Sequence, residues 1–209
     1  MELALIDYNM GNLGSVRKAL EQTGAAVRVI ADPAGLDGCP GCVLPGVGNF
    51  GDGMENLRRS GFDRALKQFA ADGGLVLGIC LGMQMLLEAS EEAPGVAGMG
   101  VLPGTVRRFP SGTEKVPHMG WNSVRFAAGS PLRPTPQTEE EYFYFVHTYY
   151  VPPRPEYTDG VCEYILPFAA ALRSGNWFAT QFHPEKSQRA GLALLRNFVA
   201  RTAEHEANS

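Results

Sequence analysis

A strand-like run, LVLGI at residues 75–79, passes directly into Cys80-Leu81-Gly82 and a helix-forming stretch, with no linker between them. A chain that reverses from strand to helix within two residues needs a sharp, strained turn, and side chains flanking its apex would collide with neighbouring elements. The glycines two residues before and after Cys80 remove those side chains, so the segment predicts a nucleophile-elbow geometry with cysteine at its tip. A helix beginning behind Cys80 directs its N-terminal N–H groups at the sulfur and favours thiolate. A buried structural cysteine between two packing glycines satisfies the same pattern.

The preceding residues frame this turn. LALI (3–6), AVRVI (26–30) and CVL (42–44) read as short buried strands. Between them, Leu13, Val16, Ala19 and Leu20 recur at helical spacing and Gly24 supplies a stop. Residues 52–71 read as helix in two pieces broken at Ser60-Gly61, and CLGMQMLLEAS continues as a helix after the elbow. Strands alternating with helices predict a mainly parallel sheet covered on both faces, a three-layer α/β sandwich. Beyond residue 98 or so, TVRRF, YFYFV, VCEYI, AAAL and WFATQF lie between Pro and Gly clusters and predict antiparallel additions to that sheet. RPTPQ (133–137) reads as a loop, and a final helix over 187–203 places Leu192, Leu195, Phe198 and Val199 on one face. The length of 209 residues suits a single domain over 1–209.

Composition excludes some functions. A net charge of −4 carries no basic footprint for nucleic acid. The longest mostly apolar run, 75–87, is too short to cross a bilayer and is interrupted by Gln84, and MELALIDYNMG has no signal-peptide character. Four cysteines in a chain of this size point to a reducing, cytoplasmic setting rather than a disulfide scaffold.

A thiolate nucleophile requires an imidazole and an orienting carboxylate. His183 and Glu185 in TQFHPEKS are two apart, and Pro184 disfavours helical backbone at His183, so both side chains should share one side of an extended segment. Cys80, His183 and Glu185 then form a candidate triad across the C-terminal rim of the sheet. His183 takes the thiol proton and returns it to the leaving amine, while Glu185 holds the ring and its tautomer. H-P-E in a surface turn is the alternative.

GVGNFG (46–51) matches G-x-G-x-x-G and poses a dinucleotide loop as a rival. Pro45 precedes it, and about 20 residues on, where an acidic residue should end the next strand, Asp72 instead falls in a helix-ending turn.

GICLGMQ together with QFHPEKS resembles the class I, triad-type glutamine amidotransferases. DYNMGNLGSV, LPGVGNFG, GTVRRF, KVPHMGWN, YFVHTYY and HPEKSQ narrow the resemblance to the glutaminase subunits of imidazole glycerol phosphate synthase, over residues 3–199. That resemblance implies hydrolysis of L-glutamine to glutamate and ammonia through a cysteinyl thioester. The ammonia passes to a (βα)8-barrel cyclase that forms imidazole glycerol phosphate and an aminoimidazole carboxamide ribotide in histidine biosynthesis. No metal or organic cofactor is implied. It also makes the glycine-rich segment an oxyanion strand: the backbone N–H groups of Val47 and Leu81 are the implied oxyanion donors, and Gly46 and Gly48 line the pocket through their backbones. Gln84, Thr148 and Tyr149 match glutamine-binding positions, and Asn12, Met119, Trp121, Asn122 and Lys186 match partner-facing ones. A strand edge with half-buried aromatics is the plainer account of VHTYY, and a core aromatic that of Trp121.

Other glutaminases, feeding a pyridoxal phosphate or anthranilate synthase, fit KVPHMGWN and YNMGNLGSV less well. A non-catalytic module on the same fold would not need all three triad residues. The Cys39-Pro-Gly-Cys42 motif departs from the family pattern and offers a redox pair or half a zinc site, although Cys42 opens a buried strand. Arg107-Arg108 offers a phosphate contact or a solvated strand edge.

Overall fold

The computed structural model describes residues 2–112, 114–135, 138 and 140–208. Pro136 and Gln137 of the RPTPQ loop lie outside these. Strands β1 (Glu2–Ile6), β2 (Ala26–Ile30), β3 (Gly41–Leu44) and β4 (Leu75–Ile79) are parallel. Their side chains alternate between two cores, as the two-residue strand period requires. Leu3, Leu5, Val43, Leu75, Leu77 and Ile79 face helices α1 (Leu13–Glu21) and α5 (Gln188–Asn208), whose Val16, Leu20, Leu195 and Phe198 join the same cluster. Ala4, Ile6, Leu44 and Val76 face α2 (Phe50–Arg59) and α3 (Phe62–Ala71) through Phe50, Met54, Leu57, Phe62 and Leu66. Each such large side chain, when fully buried, contributes roughly 1.5–3 kcal/mol of transfer free energy.

Local chemistry sets the boundaries. Asn12 caps α1 by accepting from the Ser15 N–H, and Asn49 caps α2 by accepting from the Asp52 N–H. The expected break between α2 and α3 occurs at Gly61, whose φ of 79° a side chain would strain.

The second half joins the same sheet. Its order is β2-β1-β3-β4-β12-β11-β10-β7-β8, with β12 (Trp177–Thr180) parallel to β4. Strands β11 (Pro167–Ser174), β10 (Thr158–Glu163), β7 (His118–Phe126) and β8 (Glu140–His147) follow in antiparallel pairing.

Three sequence expectations are corrected here, and one strand is added. WFATQF supplies a parallel strand inside the sheet, not an antiparallel addition. TVRRF forms β6 (Thr105–Arg108) in a separate small sheet with β5 (Ala89–Ser90) and β9 (Tyr149–Tyr150). HMGWNSVRF is a nine-residue strand that periodicity did not reveal. The helix after Cys80, α4, spans only Leu81–Gln84. It stops because the carbonyls of Met85, Leu86 and Leu87 accept from Met99, Val101, Leu102 and Gly100 instead of from a following turn. Gly98 permits that approach, since a Cβ there would lie 2.0 Å from the Leu87 oxygen.

Candidate active site

The elbow forms where β4 ends. Cys80 has φ 54° and ψ −106°, and its N–H donates to the Thr180 carbonyl of β12 at 2.7 Å. A Cβ on Gly82 would stand 2.1 Å from the Leu44 oxygen, and one on Gly78 would stand 2.9 Å from the Gly82 carbonyl carbon and oxygen. Both glycines are therefore steric requirements of the turn. The short α4 corrects the expected helix dipole: one turn provides a few N–H groups rather than a long aligned column.

His183 Nδ1 and Glu185 Oε1 are 2.8 Å apart, with side chains 3% and 2% exposed. His183 is extended, as expected before proline, but Pro184–Lys186 forms a 3₁₀ turn. The turn, not continued extension, folds Glu185 back onto the ring. Ser187 Oγ donates to the His183 carbonyl at 2.6 Å and fastens that turn. With Nδ1 committed to Glu185, Nε2 is the uncommitted nitrogen, and it has no hydrogen-bond partner. Burial works to lower the His183 pKa, but attraction to the Cys80 sulfur and then Glu185 outweighs it and raises the value to about 9.

Cys80 and His183 line one pocket of about 300 Å³, together with Val47, Gly48, Leu81, Gln84, Glu92, Pro117, Val146, His147, Thr148 and Tyr149. That size is at the small end for small-molecule sites. Gly46 lies just behind the wall, where a Cβ would come within 2.6 Å of the Tyr8 hydroxyl and 2.8 Å of the Leu81 Cβ. Tyr8 donates to the Pro45 carbonyl at 2.8 Å and steadies this segment. The expected inward N–H of Val47 is not what the structure presents. The Leu81 N–H donates to the Gly46 carbonyl at 3.4 Å. In a trans peptide the Val47 N–H points opposite to that carbonyl, hence away from Leu81.

Gln84 Nε2 donates to the Tyr149 carbonyl at 3.1 Å and to Gln181 Oε1 at 3.0 Å. Both its N–H groups are occupied, leaving Oε1 to offer to a ligand. Glu92 went unrecognised in the sequence, where it is one of two adjacent glutamates with no motif around them. Its carboxylate accepts from the Phe50 N–H at 2.8 Å. Burial raises its pKa, the Phe50 hydrogen bond opposes this, and Asp52 adds to the rise.

Around the rim, Met119 and Trp121 are 62% and 47% exposed apolar residues on β7. Lys186 is exposed 5.9 Å over the Tyr144 ring, Asn12 is an exposed helix cap, and half-buried Asn122 donates to the Glu163 carbonyl at 2.9 Å. Cys39 and Cys42 lie at the opposite end of the sheet from Cys80. The Cys39 sulfur accepts from Arg28 at 3.0 Å, and burial, with Cys39 nearby, pushes the Cys42 thiol well up. Arg107 stands 3.8 Å from Glu91, both half exposed. Among the described residues, no cluster of three or more His, Cys, Asp or Glu could hold a metal ion, and no helix is long and apolar enough to cross a membrane.

A cysteine on an elbow, beside a buried imidazole–carboxylate pair in a small pocket, is equipped for acyl transfer from an amide. The family model for glutamine amidotransferase class-I matches residues 4–202, so the chain belongs to the class I glutamine amidotransferases. Solved structures agree on the fold: PurLQS from Thermotoga maritima has a TM-score of 0.74 at 19% identity, covering 96% of this chain and 98% of that one. The glutaminase domain of Trypanosoma brucei CTPS with bound acivicin has a TM-score of 0.68 at 18% identity, covering 98% and 94%. Imidazole glycerol phosphate synthase subunit HisH of Moorella thermoacetica is 51% identical, covering 94% of this chain and 93% of that one. The HisH subunit of Deinococcus radiodurans is 47% identical, covering 94% and 92%. Within its class, the chain is a member of the HisH family.

Proposed function

We propose that this chain hydrolyses L-glutamine and delivers the ammonia to a (βα)8-barrel cyclase for imidazole glycerol phosphate synthesis. The observation that carries the reading is that His183, paired with buried Glu185, shares a pocket with Cys80. Cys80 gives its proton to His183 Nε2 and, as the thiolate, attacks the glutamine amide carbon. The tetrahedral oxyanion collapses, the C–N bond breaks, and His183 returns the proton to the departing ammonia. Water then attacks the γ-glutamyl thioester with His183 as base, releasing glutamate and restoring the thiol. Glu185 holds the ring so that Nε2 faces the reaction.

The Gly46–Val47 peptide must turn over before the Val47 N–H joins that of Leu81 at the oxyanion. Gly48, at φ 106°, supplies the backbone freedom for that movement. Glu92 and the Gln84 oxygen supply acceptors suited to the α-ammonium and amide N–H groups of glutamine, beside Thr148 and Tyr149. The exposed Met119 and Trp121, with Asn12, Asn122 and Lys186, form the face for the cyclase. A sheltered passage across that face keeps ammonia unprotonated and nucleophilic. All four cysteines are free, which suits the reducing cytoplasm.

The test is co-expression with the cyclase and comparison of wild type with Cys80→Ala. The variant should lose glutamine-dependent synthesis and retain ammonia-dependent synthesis; glutamine-dependent turnover in the variant would overturn the reading.

A further inference from the structure

We infer that Gln181 is a further residue of the glutaminase machinery: its side-chain amide is held with the N–H side toward the Cys80 sulfur, as a fixed donor to the nucleophile. The inference rests on Cys80 being the nucleophile.

Strand register creates the contact. Thr180 of β12 is the parallel partner of Ile79 of β4, so the residues that follow, Gln181 and Cys80, leave the sheet side by side. Gln181 is 0% exposed, and its backbone N–H donates to the Ala170 carbonyl at 2.9 Å. Its Nε2 stands 3.8 Å from Cys80 Sγ, within reach of a hydrogen bond to sulfur. It does not line the substrate pocket, so it sits behind the thiol as seen from glutamine.

An amide can present either end, and here the polarity is dictated from outside. The Tyr149 carbonyl only accepts, so Gln84 must turn its NH₂ group toward it. The second hydrogen of that group points at Gln181, which must meet it with Oε1. Gln181 therefore has only Nε2 left for the sulfur. The same carbonyl orders a second branch. His147 Nδ1 lies 2.8 Å from it and must be its donor, which leaves His147 Nε2 to accept from His118 Nδ1 at 3.0 Å. His118 Nε2 then accepts from Asn122 Nδ2 at 3.3 Å. The two imidazoles are neutral in this arrangement, in keeping with burial that lowers His118 to about 4. For His147, burial outweighs the opposing Tyr149 bond, and neighbouring His118 and His183 lower it further, giving about 3. Tyr149 is thus clamped from both sides, and its carbonyl orients Gln84 and, through it, Gln181.

A donor fixed on sulfur stabilises the negative charge that develops when the proton leaves for His183, and does so without reorganisation during reaction. Hydrogen bonds to charged groups contribute about 1.5–3 kcal/mol, which corresponds to about tenfold or more in thiolate population at a given pH. Substrate affinity should change little, because Gln181 does not line the pocket and the Tyr149 carbonyl still orients the Gln84 amide without it.

The experiment uses the full chain, alone and with its cyclase partner, carrying Gln181→Met, which keeps volume and removes the donor to Cys80 together with the acceptor for Gln84. Alkylation of Cys80 by iodoacetamide is followed by peptide mass spectrometry from acidic to alkaline pH. At pH 7 the rate should fall about 10-fold, converging with wild type at alkaline pH, and kcat for glutamine hydrolysis should fall with KM unchanged within about twofold. A packing role alone would not shift the pH profile. Modification of buried Cys162 reports any opening of the fold; in that event Gln181→Glu, which keeps the acceptor for Gln84 and puts a carboxylate against the sulfur, takes the same readout. An alkylation profile superimposable on wild type overturns the inference. Failure of the underlying reading looks different: wild-type chain and Cys80→Ala would then turn over glutamine equally.

Discussion

The carbonyl of Gly46 occupies the Leu81 N–H that the tetrahedral intermediate would use, so glutamine hydrolysis should depend on turning over one peptide. The contact at 3.4 Å is long, and breaking it costs about 0.5–1.5 kcal/mol. Holding the turned peptide in a sparsely populated backbone conformation adds about 1–3 kcal/mol. The sum, about 1.5–4.5 kcal/mol, sets how far a partner that favours the turned form can accelerate the reaction: about tenfold to two-thousandfold. Val47→Pro deletes the N–H brought in by the turn while leaving the elbow and the His183–Glu185 pair untouched. Loss of one oxyanion donor costs about 100- to 1000-fold in kcat. Steady-state glutaminase assays with and without the cyclase should therefore show the partner's stimulation collapsing in Val47→Pro and surviving in Val47→Ala, which keeps the N–H. Full turnover by the purified wild-type chain alone, or normal stimulation of Val47→Pro, would refute this account.

Further outcomes follow from the contacts in the structure. Gly82→Ala drives a Cβ against the Leu44 oxygen of a central strand, and urea denaturation should show a loss of about 3 kcal/mol or more, whereas Gly14→Ala, whose Cβ meets nothing closer than 3.9 Å inside α1, should gain up to about 1 kcal/mol. Because His183 is raised from 6.5 to about 9, its folded state binds the proton more tightly than the unfolded chain does. That contribution to stability is fully present below pH 6.5 and disappears as pH rises through about 9; Glu185→Gln should weaken this dependence in pH-dependent melting and reduce kcat by several orders of magnitude, by about 10⁴ if it resembles other triads. Glu92→Gln removes a pocket carboxylate without touching the thiol, so KM for glutamine should rise about tenfold or more with a smaller change in kcat.

Much of this was legible before any coordinates. The β1–β4 alternation, the α2–α3 break at Gly61 and the elbow glycines follow from side-chain period and local sterics. β7 escaped notice because its outward Met119 and Trp121 interrupt the usual apolar-in, polar-out alternation. Glu92 and the Gln84–Gln181 contact escaped for another reason: residues 42 to 101 positions apart meet only once the chain has folded, and no local pattern encodes that meeting.

The residues alone pointed to a tight strand-to-helix turn at Cys80, since the glycines two residues before and after it leave room for one, and the structure added that any Cβ at Gly78 or Gly82 would clash. They also placed His183 and Glu185 within reach of each other, through two-residue spacing around a proline. Tertiary structure decided that Glu185 returns by a 3₁₀ turn, that Gln181 lies against the sulfur, and that the Gly46 carbonyl faces Leu81. Short-range sterics are written into successive residues, whereas register and peptide orientation are set by partners distant in the chain.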